Sequence, residues 1–188
     1  MPNHTGRLVL TTADPLAGPA ASVLIETLSR AGFIAVPLPG HPHAYAVGAN
    51  FLSLLAFSGC AVVVPTAAGP DPHTAFCHVR ISTLSAAPRL LYGRNTRPPR
   101  CPNCRARLID WRDRMIAQLE RPHPETTCTA CGDTRPPWRW DWKEQGGFGR
   151  LFVLVEEVFP GEAVPTPPLI DMLTDACGFG WRHFYVQD

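Results

Sequence analysis

The chain has 188 residues, 45% of them hydrophobic and 18% charged, with a net charge of +1. Those values exclude a disordered polyelectrolyte and fit one ordinary globular core, with room for a small inserted module. The charge is nevertheless uneven: residues 89–143 hold 12 Lys+Arg against 6 Asp+Glu, whereas residues 144–188 hold 2 against 7.

In chain order, residues 7–12 read as a short buried strand. Residues 17–30 read as a helix, with Val23, Leu24, Ile25 and Leu28 on its apolar side and a stop at Gly32. Residues 33–38 make the next strand, giving the β-α-β opening of a mixed or parallel sheet. A helix over 49–57 and a strand over 60–65 follow. This stretch lies in a run without charged side chains, and residues 45–64 are nearly long enough to cross a bilayer. Gly48, Asn50, Ser53, Ser58 and Gly59 interrupt it and no Lys or Arg anchors it, so a buried helix and strand are expected instead of a membrane partner. Residues 76–84 alternate as a strand, and residues 89–92 form a shorter one that pairs with it. Beyond the middle of the chain, residues 150–159 return to strand character. Residues 167–177 form a helix with Leu169, Met172, Leu173 and Ala176 on one face, and 181–186 form a closing strand.

Between these flanks, residues 94–142 are rich in Arg, Pro, Cys and Trp. The expected architecture is therefore α+β (mixed α/β). Residues 1–93 and 143–188 would form a core with a mixed sheet from both chain ends, and 94–142 would be an inserted module. The module carries two CxxC turns, Cys101-Pro-Asn-Cys104 and Cys128-Thr-Ala-Cys131. Two intervening residues let both thiolates of a turn point at one ion, and two such turns complete a closed tetrahedral site suited to zinc. A thiol-rich chain without a basic start and apolar leader points to metal rather than disulfides, and to a reducing cytoplasm. Redox chemistry at the first pair is a second reading, because a helix opening there would lower a thiol pKa. Cys60, Cys77 and Cys177 lie in apolar runs and read as core residues.

Over residues 98–142 the two knuckles resemble the zinc-ribbon class. The resemblance implies one structural zinc and a local fold of facing knuckles, and it implies no activity, since ribbons occur in enzymes, nucleic-acid machinery and interaction modules alike.

Trp138, Trp140 and Trp142 would share one face of an extended strand. They could stack on single-stranded nucleic acid beside Arg94, Arg97, Arg100, Arg105 and Arg107, pack the module against the sheet, or form a protein-binding patch. Leu108, Trp111, Met115 and Leu119 recur at helical spacing between the knuckles, although residues 105–111 would also suit a ribbon strand. His41, His43 and His123 read as solvated loop histidines. Residues 146–149 (Gly-Gly-Phe-Gly) lead into a strand and not a helix, so they read as a flexible joint and not a phosphate loop. The function expected is a cytoplasmic, non-enzymatic zinc protein whose module contacts another protein or a second copy. Nucleic-acid binding and an enzyme with its site on the core sheet are the alternatives.

Overall fold

The computed structural model describes residues 6–58, 64–66, 75–119 and 124–188. In chain order the elements are β1 (Gly6–Thr12), α1 (Ala21–Arg30), β2 (Ile34–Pro37), β3 (Ala44–Val47), α2 (Phe51–Leu54), β4 (Leu55–Phe57), β5 (Val79–Ile81) and β6 (Arg89–Tyr92). They continue with α3 (Trp111–Leu119), β7 (Thr126–Thr127), β8 (Thr134–Arg135), β9 (Gly146–Gly149), β10 (Val153–Glu156), β11 (Ala163–Pro165), α4 (Pro167–Cys177) and β12 (Trp181–Gln187). The class is α+β. Six strands form the main sheet in the order β12-β1-β10-β5-β3-β2, so the two chain ends lie side by side at its centre and one edge.

Every pairing in this sheet is antiparallel, which corrects the expected mixture of strand directions. The β1-α1-β2 unit exists, but β10, β5 and β3 come between its two strands. Only the full sheet order could reveal that, because three of those neighbours arrive later in the chain.

Several other boundaries move for local reasons. Ala20 is extended (φ −68°, ψ 123°), so α1 begins at Ala21. The helix expected over 49–57 stops at Leu54, and residues 55–57 pair with β11 instead. A ladder partner from a distant segment outweighs a weak helical preference there. The strand expected over 60–65 lies mostly outside the described residues. Among the described residues, no helix is long and apolar enough to cross a membrane. Strand β5 ends where the Ser82 hydroxyl accepts the Phe152 N–H. The regular ladder of β10 ends at Glu156, because Glu157 has a φ of 60°; the Val158 N–H beyond it still donates to Gly6 O at 3.0 Å.

Layers follow from alternation along the strands. One sheet face presents Leu8, Leu10, Val79, Ile81, Val153 and Val155 to Leu24 and Leu28 of α1 and Leu169 and Leu173 of α4. The opposite face presents Val9, Leu154, Phe184 and Val186, with Leu91 of β6 packed on them. Strand β6 pairs with β9 (Leu90↔Phe148, Leu91↔Gly147), correcting its expected partner at 76–84.

The β6–β9 ribbon is the hinge of the architecture in a geometric sense, because its two faces belong to different cores. Leu91 faces the sheet, whereas Leu90 and Phe148 pack in the apolar cluster of the cysteine module. Glycines make the sheet side possible. A Cβ on Gly147 would stand 2.8 Å from Phe184 Cε1, and one on Gly149 would stand 2.1 Å from Thr11 Oγ1. The expected flexible joint at 146–149 is thus a wholly buried strand lying flat on the sheet. Thr11 has little freedom to yield, since it is buried and its hydroxyl donates to Leu151 O at 2.8 Å. Gly149→Ala is therefore expected to cost about 1–3 kcal/mol through overpacking, read as a lowered denaturant midpoint. An unchanged midpoint would mean that β9 does not sit against β1 as described.

Candidate metal centre

Each CxxC turn is the tip of a small hairpin. In the first, Arg100 bridges Arg107, the Cys101 N–H donates to Ala106 O at 2.8 Å, and the Arg105 N–H donates to Cys101 O at 2.9 Å. In the second, β7 pairs with β8, the Cys128 N–H donates to Asp133 O at 2.8 Å, and the Gly132 N–H donates to Cys128 O at 2.9 Å. The two knuckles also match in backbone. The residue after the second cysteine is left-handed in both, Arg105 at φ 66° and Gly132 at φ 74°. Gly132 suits that conformation, whereas Arg105 adopts it at a steric cost of about 1–2 kcal/mol.

The knuckles face each other so that all four sulfurs of Cys101, Cys104, Cys128 and Cys131 lie within 4.8 Å of one another. Two pairs cross between the knuckles, Cys101 to Cys131 at 3.8 Å and Cys104 to Cys128 at 3.6 Å. A tetrahedron with metal–sulfur bonds of about 2.3 Å has sulfur–sulfur edges of about 3.8 Å, which the two cross-knuckle distances match. These four cysteines could hold one metal ion. Two of the cysteines are interior and two face outward: Cys101 and Cys128 are buried, Cys104 and Cys131 exposed.

Two neighbouring side chains reach the sulfurs. The Asn103 side-chain amide donates to Cys131 Sγ at 3.6 Å. Asp133 stands 3.8 Å from Cys101 Sγ, with its carboxylate held by Arg135 Nε at 2.6 Å. At Cys104 the Ala106 backbone N–H favours ionisation. Hydrogen bonds to Cys131, Cys128 and Cys101, together with desolvation, outweigh it and push the thiol up to about 12. Four sulfurs this close cannot all carry negative charge by themselves, and a cation bound among them would reverse that preference.

The cluster is built into a second core. Cys101 and Cys128 pack with Leu108, Trp111, Met115, Trp140, Trp142 and Phe148. Trp111 opens α3, so the helical reading holds from Trp111 onward, whereas Arg107 before it makes a single antiparallel bridge to Arg100 and Leu108 precedes the helix. The Trp111 ring stands edge-on to Tyr92 and to Trp142, each at 5.2 Å. Leu90 and Phe148 belong to this core but lie outside the 94–142 boundaries, so the apolar packing runs on into the β6–β9 ribbon.

Trp138, Trp140 and Trp142 do not line one face of a strand. Pro136-Pro137 starts a single 3-10 turn over Pro137–Arg139, and the chain then bridges from Asp141 to Arg100. Trp140 and Trp142 are each only 4% exposed. The Trp142 Nε1–H donates to Pro137 O at 2.9 Å, and Trp138 is half-buried against Phe148. Trp140 and Trp142 are thus enclosed and Trp138 keeps a partly exposed ring, so the three indoles do not form one open stacking face.

The remaining candidates scatter. Arg94 is exposed, and its backbone N–H donates to Gln187 O at 2.8 Å beside β12. Arg97 and Arg100 line a cleft with Arg107, whereas Arg105 pairs with Asp141 at 2.8 Å. His41 and His43 are exposed in the β2–β3 connection. Among the described residues, the four cysteines form the single metal-capable group, and neither histidine belongs to it. His123 and Cys60 fall outside the described residues. Cys77 is buried, and desolvation followed by the nearby Glu157, Glu162 and Glu156 pushes its thiol up to about 12, which suits an inert core residue. Cys177 donates to Leu173 O at 2.9 Å and accepts from Trp181 Nε1 at 3.2 Å.

Sequence reasoning missed Glu156, a buried carboxylate on β10 held by Arg7 Nε at 3.2 Å and Arg80 Nη2 at 2.7 Å. No local pattern announces it, because its partners come from β1 and β5. No family model, curated protein or solved structure matches this chain.

Proposed function

We propose that the chain is a zinc-binding protein in which Cys101, Cys104, Cys128 and Cys131 form one closed structural zinc centre of zinc-ribbon type. On this reading the module is a non-enzymatic interaction or regulatory element, working in the reducing cytoplasm, where thiols stay available as ligands. The observation that carries it is the set of four sulfurs within 4.8 Å, presented by two knuckles of matching hairpin geometry. Thiolate-only ligation selects zinc over magnesium or calcium, and four protein sulfurs fill the tetrahedron so that no position is left for water. A metal held in this way supplies shape. The role in contacting another protein is supported by the outer surface of the module region, where Ile109 is 72% exposed and Tyr92 45% exposed beside a tightly packed interior.

The test is metal content in native mass spectrometry of protein purified without added metal. One zinc per chain is expected, with Cys101→Ser and Cys128→Ser each losing it and Cys177→Ser retaining it. A fully folded wild-type chain without metal, or stoichiometric iron in place of zinc, would overturn the reading.

A further inference from the structure

A cleft of about 490 Å³ opens where the first knuckle meets the returning chain, walled by Arg97, Arg100, Arg107, Lys143, Asp141 and Trp142. Four of these six side chains are cationic. The single carboxylate is already engaged: Asp141 Oδ2 accepts from Arg105 Nη1 at 2.8 Å and Lys143 Nζ at 3.1 Å, and Oδ1 accepts from the Lys143 N–H at 3.1 Å. Among the described residues, Arg97, Arg100 and Arg107 pair with no carboxylate.

Backbone pairing holds this convergence in place. Arg100 and Arg107 are opposed across the knuckle's bridge, and Arg100 exchanges both backbone hydrogen bonds with Asp141 at 3.0 Å each. Three guanidiniums without a carboxylate partner among the described residues give this concave surface a positive potential that favours an anion. None of the four cysteines lines the cleft, so it is a feature separate from the sulfur cluster. Its volume lies in the range of small-molecule sites, about 300–1,000 Å³. Guanidinium forks match the oxygens of phosphate in pairs, which a compact ammonium does not. Trp142 closes the cleft floor as a buried residue, its ring N–H being already used on Pro137 O.

We propose that this cleft binds the phosphoryl groups of a small ligand, of pyrophosphate to nucleotide size. The experiment is isothermal titration of the full, metal-loaded chain with pyrophosphate, and in parallel with a short single-stranded oligodeoxythymidine. One pyrophosphate per chain is expected, weakening as salt rises. Arg100→Gln and Arg107→Gln should each reduce affinity at least about tenfold, the loss of one charge-assisted contact of roughly 1.5–3 kcal/mol. Arg89→Gln, an exposed β6 position outside the cleft, should leave affinity unchanged. Metal content and far-ultraviolet circular dichroism verify each variant's fold, and the exposed Arg97→Gln carries the test if a knuckle variant misfolds. Absence of saturable pyrophosphate binding overturns the proposal, as does an equal loss in Arg89→Gln. So does an oligonucleotide that binds through these arginines when pyrophosphate does not, which would assign the cleft to a nucleic-acid backbone.

Discussion

On the proposed zinc reading, stripping metal from the purified protein with a strong chelator is expected to unfold the knuckle region and leave the main sheet folded. The reason is how little else orders that region. Strands β7 and β8 are two residues each, and the first knuckle has a single bridge between Arg100 and Arg107. Such fragments do not hold themselves together in water. Binding of a structural zinc is worth on the order of 10–16 kcal/mol, comparable to or larger than the whole stability of a typical domain. Two ligands, Cys101 and Cys128, are also members of the apolar cluster, so losing the ion loosens the packing of Trp111, Trp140 and Trp142 together. By contrast, β1 is paired on both sides, to β10 and β12, and is covered by α1 and α4 on one face.

Hydrogen exchange distinguishes the two parts. Protection of the Cys101, Arg105, Cys128 and Gly132 amides, all bonded within the knuckles, should collapse on chelation. The amides of β1 should keep most of theirs. Tryptophan emission should shift to the red as the indoles meet water. Identical exchange patterns before and after chelation would show that the sulfurs do not organise the module.

The second large effect is expected at Trp111, where replacement by alanine should cost about 3–5 kcal/mol in the metal-loaded protein. Its side chain is 1% exposed and bridges three parts of the chain: α3 itself, Tyr92 of β6 and Trp142 of the return segment. The Arg112 guanidinium also lies 4.5 Å from the ring centroid. Truncation removes two edge-on aromatic contacts and leaves a cavity that the knuckles, tethered at their sulfurs, cannot close by collapsing. Guanidinium denaturation at fixed zinc concentration measures the loss. Trp138→Ala, at a half-buried position, should cost distinctly less. Equal costs at the two positions would mean that Trp111 is not the centre of this core.

Both predictions depend on a continuity that chain order conceals. The cysteine module does not hang from the core by a linker. It is built on the far side of a two-stranded ribbon whose near side is packed onto the sheet. Leu90 and Phe148 on one face and Leu91, Gly147 and Gly149 on the other are neighbours in sequence, yet they belong to separate cores because strand side chains alternate. The Gly-Gly-Phe-Gly stretch reads locally as a loose connection. Its glycines are needed instead for close approach to Thr11 and Phe184, residues more than thirty positions away in one case and more than a hundred in the other.

The sequence by itself determined what depends on short-range spacing. Two CxxC turns set the four sulfurs, the 3.6-residue period of Leu169, Met172 and Leu173 set α4 at residues 167–177, and short apolar runs marked β1, β6 and β12. Tertiary structure alone decided the antiparallel sheet order, the burial of Trp140 and Trp142, the two-faced ribbon, the Glu156 ion pairs and the arginine cleft. Each of those is a meeting of residues far apart in the chain. Local chemistry states which partners a segment would accept, and only the free energy of the whole packed chain selects the partner it receives.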